Sequence, residues 1–281
     1  MAVFPIYEDF FRFLEVLEVG EDPWEVYEEM YFRPHKNFFG AYWRTFFPLM
    51  DVRTLQDRVR QVRRGHYAAL EHLIGQSRPE DIVQENLSRC RAHLPRLPEP
   101  DVYLIVGFFS ADGFVVNVNS RPAIGIGLER FKDFRLLDII LAHEYCHCAR
   151  YLALGSCAET EPETLGQKLL SEGLSVYFSQ RVYPQRRLFD HLLMSRRRLN
   201  WCQQNEQLLK TTAERELTSS RLVPVFFQRG KPGAGIPPRT GMYLAYRLVE
   251  RALSEMREEE FEELLTTRDI MAIWPADSSG R

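Results

Sequence analysis

The chain has 281 residues, of which 45% are apolar and 27% charged, the make-up of a soluble globular protein with enough chain for a sizeable core. A net charge of -3 argues against a dedicated nucleic-acid binder, and no stretch approaches the roughly 20 apolar residues of a membrane span. The opening MAVFPIYED has neither a basic n-region nor an apolar h-region, so the protein is expected to be cytoplasmic, with neither nucleic acid nor membrane as a partner.

Residues 1–92 read as helical, punctuated by Pro34, Gly40, Gly65 and Gly75. Trp24, Tyr27, Phe38, Phe39 and Trp43 fit the core of a helical lobe better than a ligand box. Arg58, Arg60, Arg63 and Arg64, like Arg196, Arg197 and Arg198 further on, read as solvated helix faces. Three prolines in the seven residues from Leu94 to Pro100 mark a lobe boundary. Beyond it Val102 to Phe109 is rich in strand formers, and Asp112-Gly113 predicts a turn before a second strand, Phe114 to Val118. A third strand follows at 123–129, AIGIGLE. One face carries Ile124, Ile126 and Leu128; the other, Ala123, Gly125 and Gly127, is nearly bare, which suits close approach of another backbone.

The next element carries the chemistry. No Gly or Pro interrupts Phe134 to Leu154, Asp133 is placed to cap its start, and Leu136, Ile140, His143 and His147 continue one inward stripe. Residues 143–147 read HEYCH, an HExxH pentad: two histidines four apart share a helical face and can hold one metal ion, while Glu144 projects about 100° away, where it can act as a general base. The plain alternative is a pair of core histidines.

A further helix is predicted from Thr160-Glu161-Pro162 to about Tyr183, stopped by Pro184. On its face of Leu165, Leu169, Val176 and Ser179, Glu172 is a carboxylate that burial would leave needing a cation or strong donors. A zinc ion would satisfy it, and so would an arginine. His143, His147 and Glu172 make a His2Glu set with one tetrahedral position left for water, the pattern of a catalytic zinc, one per chain. Gly173 beside it leaves room for a second helix.

Helix resumes after Pro184 to about Leu217, then Gly230, Pro232, Gly233, Gly235, Pro237 and Pro238 make a loop able to border a cleft. A final helical region begins near Gly241, and residues after Pro275 are expected to fray. Cys90, Cys146, Cys148, Cys157 and Cys202 have no disulfide spacing and read as buried thiols; Cys146 points off the face of His147 and makes a poor co-ligand.

HExxH followed by a helix bearing Glu-Gly-Leu resembles the gluzincin pattern of zinc metallopeptidases. More narrowly, AHEYCH at 142–147, SEGLSVYF at 171–178 and RTGMYLAYRLVE at 239–250, with AIGIGLE, are similar to a bacterial domain-of-unknown-function family of predicted zinc-dependent proteases. Cys146, Met242 and Ala245 stand where that family has His, Tyr and Gly. The resemblance implies an α+β, zincin-like catalytic domain, placed over 98–275; the helical pattern and the proline-rich boundary set a lobe over 1–97 before it, and a frayed tail over 276–281 follows. The resemblance implies zinc on His143, His147 and Glu172, Glu144 as base for a metal-activated water, and a peptide or protein substrate. It also points to Tyr243 as oxyanion stabiliser, with Tyr246 and Arg239 behind it, and to the glycine-bearing strand as an edge that pairs with substrate. Val176 occupies the position where some gluzincins carry an Asp that orients a histidine, which leaves that task to Asp138 or Glu250. Two other readings stay open: a non-catalytic binding protein on this fold, and a hydrolase of a non-peptide amide or ester.

Overall fold

A computed structural model describes residues 2–17, 22–46, 51–95, 99–108, 111–155, 163–231, 233, 235–254 and 260–274. Strand β1 (Val3–Phe4) opens the chain and is followed by α1 (Tyr7–Val16), α2 (Pro23–Tyr27), α3 (Lys36–Phe46), α4 (Val52–Arg60), α5 (Ala68–Ser77) and α6 (Pro79–His93). Three strands come next, β2 (Asp101–Ile105), β3 (Gly113–Val118) and β4 (Arg121–Gly127). Helices α7 (Leu137–Leu154), α8 (Leu165–Val182), α9 (Leu188–His191), α10 (Arg196–Gln204), α11 (Glu206–Glu214), α12 (Thr240–Ser254) and α13 (Glu260–Thr266) complete an α+β chain with one small sheet. Among the described residues no helix is long and apolar enough to cross a membrane.

Two compact units divide it. The first is Met1–Arg89 with Pro98–Glu144 and Cys157–Glu159; the second is Cys90–Leu97, Tyr145–Ser156 and Thr160–Arg281. The expected helix start at Thr160-Glu161-Pro162, together with Phe109, Cys157, Pro232, residues 96–98 of the proline-rich stretch and the tail from Pro275, lies outside the described residues.

In the first unit the sheet order is β1-β2-β4-β3, with β2 parallel to β1 and β4, and β3 antiparallel to β4. Two expectations change here. The N-terminal stretch is not helical throughout, because β1 joins the sheet: Val102 N–H donates to the Ala2 carbonyl, Ala2 N–H donates to Asp101, and Phe4 stacks on Tyr103. Two residues are too few to show a period-2 pattern, so only the partner strand reveals them. Likewise β4 is no edge, since β2 and β3 pair with it on either side. Its bare face is filled rather than free. Phe114 lies opposite Gly125, and a Cβ on Gly125 would come within 2.2 Å of the Phe114 ring. A Cβ on Gly127 would meet the Ala111 carbonyl at 2.4 Å.

That face continues into an aromatic core. Tyr103 stacks on Phe38, and Phe114 packs against Tyr42 and Phe46, all three helical rings coming from α3. Trp24 and Trp43 stack on Tyr27 and Phe32. Asn119 and Ser120, both at positive φ, close the β3–β4 hairpin, the geometry that matches strand twist. The edge strand next to β4 is therefore β3.

In the second unit α8 packs chiefly on α12. Gly173 is the reason they can come so close: a Cβ there would lie 2.4 Å from the Ala245 carbonyl oxygen. Thr164 caps α8 in a reciprocal box with Gln167. Arg150 of α7 is buried and donates to the carbonyls of Leu264, Leu265 and Thr267, satisfying the end of α13. Cys90, Cys146, Cys148 and Cys202 are buried.

Candidate metal centre

The pentad sits on α7, which begins with a tight turn at 134–136 capped by Asp133, whose carboxylate accepts from Arg135 N–H. Four residues of helix return a side chain to nearly the same azimuth, so His143 and His147 lie one above the other. Both are buried at 7% exposure. Glu172 of α8 is 8% exposed and meets them: one donor atom from each residue falls within 4.8 Å of the other two. Oε2 of Glu172 is 3.7 Å from Nε2 of His147. Zinc bonds of 2.0–2.2 Å in a tetrahedron would place donors about 3.4 Å apart. The gap is already within a few tenths of an ångström of that edge. Two imidazole nitrogens and one carboxylate oxygen form a donor set suited to zinc, and three protein donors are the number found in catalytic sites.

The supporting contacts differ from those expected. Ser171 Oγ lies 3.2 Å from Nδ1 of His147. With Nδ1–H donating to that oxygen, Nε2 keeps its lone pair directed at the cluster. His147 thus has a residue adjacent to Glu172 against its Nδ1. Tyr246 and Arg247 take the oxygens of Glu250, and Asp138 accepts from Ile139 N–H at the start of its own helix. Glu172 has a lysine partner in place of the arginine considered above. Lys168 Nζ is 2.8 Å from Oε1 of Glu172 and 3.4 Å from Glu163. Burial works against the Lys168 charge, but Glu172 and then Glu163 more than offset it and hold the ammonium above the usual lysine range. The i, i+4 spacing of Lys168 and Glu172 was the signal available in the sequence.

Glu144 is placed differently from its neighbours. Across residues 139–150 it alone is not buried. A Cβ on Gly113, the first residue of β3, would lie 2.8 Å from Cγ of Glu144 and 2.6 Å from Ile140, so the missing side chain lets the edge strand run over the carboxylate. Among the described residues β3 pairs with β4 only.

Tyr243 is buried on α12, and its hydroxyl donates to Oε2 of Glu206 at 2.5 Å. Burial, and next the Glu206 carboxylate, raise its pKa well above the ordinary tyrosine value. It lies two residues, about 200° round the helix, from the Ala245 that touches Gly173. Tyr246 donates to Glu250, and Arg239 has a positive φ just before α12. Tyr151, a phenol that no sequence motif marks, stands one turn after His147 on the same face. Its ring stacks at 6.5 Å from the imidazole, and it is half-buried.

The family model described as "Predicted Zn-dependent protease (DUF2268)" matches residues 123–270, which take in the pentad, Glu172 and Tyr243. No curated protein and no solved structure matches the chain.

Proposed function

The chain belongs to that family of predicted Zn-dependent proteases, and on this basis we propose that it is a gluzincin-type peptidase, hydrolysing peptide bonds in the cytoplasm with one zinc ion per chain. The observation that carries the reading is the buried His143, His147 and Glu172 cluster, with donor atoms within 4.8 Å, beside a glutamate that keeps access to water. His143, His147 and Oε2 of Glu172 would hold the ion, with Ser171 fixing the tautomer of His147. When bound, zinc polarises a carbonyl and lowers the pKa of water from 15.7 towards about 7.

The rest falls to side chains and backbone. Glu144 accepts a proton from the attacking water as its oxygen bonds to the scissile carbon. It then returns that proton to the amine nitrogen as the C–N bond breaks. The open side of β3, beside Glu144, can exchange backbone hydrogen bonds with an extended peptide, the role first expected of β4. A phenol hydroxyl would stabilise the carbonyl oxyanion. Tyr243 is the candidate from the family resemblance, and it would have to release Glu206 to serve. Tyr151 is favoured by its place against His147.

The test combines bound metal and turnover on a peptide library. Glu144→Gln is expected to keep the zinc of the unaltered chain and to lose turnover. A Glu144→Gln protein as active as its parent would refute the mechanism. Zinc uptake with no peptide cleavage by either protein, but hydrolysis of simple esters by the unaltered chain, would move the reading to a non-peptide hydrolase. Comparing Tyr151→Phe with Tyr243→Phe then assigns the phenol by which loses kcat.

A further inference from the structure

Glu172 has two carboxylate oxygens with different engagements. Oε1 is 2.8 Å from Lys168 Nζ, and Oε2 faces Nε2 of His147 at 3.7 Å. Lys168 is one helical turn earlier on α8, with its side chain 27% exposed, and its ammonium also reaches Glu163 at 3.4 Å. The Thr164–Gln167 capping box holds the intervening first turn in place. Lysine four residues before glutamate is the less favourable order for helix stability, so the gain to α8 itself does not explain the pair.

We propose that Lys168 is a positioning residue for the metal centre: by holding Oε1 of Glu172 it restricts that carboxylate to a single donor oxygen and sets it facing His147 before any ion arrives. The inference rests on the metal-centre reading above and adds to it a reason why Glu172 would offer an ion one oxygen rather than two. Charge and position make opposite predictions. Lys168 with Glu163 and Glu172 sums to one negative charge; without the lysine it sums to two. On charge alone a divalent cation would bind the chain lacking Lys168 more tightly. Positioning requires weaker binding, because the freed carboxylate can rotate away or offer both oxygens.

The experiment uses the full chain and two probes, Zn2+ in competition with a chelator and Co2+ followed by its visible d–d bands. Lys168→Met is expected to weaken Zn2+ binding about 10–100-fold, the usual effect of losing a partner to a metal ligand. Its Co2+ bands should weaken as a fifth donor enters, and Lys168→Arg, which can still grip Oε1, should restore both readouts in large part. Equal or tighter Zn2+ binding by Lys168→Met with an unchanged Co2+ spectrum would overturn the proposal. If circular dichroism shows that Lys168→Met does not fold, Lys168→Gln is read by the same two outcomes. His147→Ala is the control: if it binds Zn2+ as well as the unaltered chain does, the metal-centre reading falls and takes the proposal with it.

Discussion

Replacing Gly173 by alanine adds one methyl group at the tightest point between α8 and α12. That Cβ would lie 2.4 Å from the Ala245 carbonyl oxygen, 2.8 Å from its carbonyl carbon and 2.8 Å from Val249 Cγ2. Ordinary van der Waals contact begins near 3.4 Å, so α8 must give way by about 1 Å against backbone, which cannot rotate aside. Overpacking of this kind costs about 1–3 kcal/mol, while alanine in place of glycine returns about 1 kcal/mol of helix propensity. A net loss of about 0–2 kcal/mol is expected, seen as a Tm lower by up to about 8 °C. Metal binding should suffer more than folding. Glu172 is the adjacent residue, and metal–ligand distances tolerate only about 0.2 Å, so Zn2+ affinity measured by chelator competition should fall about tenfold or further. Gly75→Ala in α5 is the matched control, because nothing lies within 4 Å of the added Cβ, and it should stabilise by about 0.5–1 kcal/mol. A Gly173→Ala protein with raised Tm and unchanged Zn2+ affinity would refute the reasoning.

Ser171→Ala should weaken Zn2+ binding about 10–100-fold while leaving the urea midpoint nearly unchanged, since only the support of His147 Nδ1 is lost. Arg150→Met should cost about 3 kcal/mol or more in urea unfolding, because three carbonyls at the end of α13 lose a charged donor in a buried place. The Glu206 carboxylate is raised by burial but more strongly lowered by the Tyr243 hydroxyl and by Arg251 and Arg247, so its folded pKa lies below the unfolded value of about 4.3. Its contribution to stability is therefore complete above that pH and lost as pH falls through the folded pKa. The stability gap between the unaltered chain and Glu206→Gln, followed by urea titration, should be flat near neutrality and close below about pH 4. A gap that widens with acid would show the sign to be wrong.

Local signals determined much of this protein. The pentad needs only α7, and α7 announces itself through Asp133, an unbroken run to Leu154 and a stripe that includes both histidines. Four-residue spacing then fixes His143 against His147 whatever surrounds them. Glu172 was legible for a similar reason, as a carboxylate on an apolar helical face, and Gly173 as the gap through which another helix approaches. Lys168 and Ser171 were equally within reach of helical spacing, yet nothing in the order of residues says which oxygen or nitrogen they touch.

Tertiary structure decided what depends on partners distant in sequence. Val3 and Phe4 become a strand only because Val102 and Tyr103 are there to pair with them. The glycines of β4 are filled by Phe114 across the hairpin, which makes β4 central and leaves β3 as the edge beside Glu144. The family resemblance points to Tyr243 as an oxyanion stabiliser, whereas Glu206 of another helix holds its hydroxyl. Helical periodicity is a property of one segment and survives in the sequence. Strand order, edge identity and the partner of a buried polar group are set by long-range packing, and no single segment encodes them.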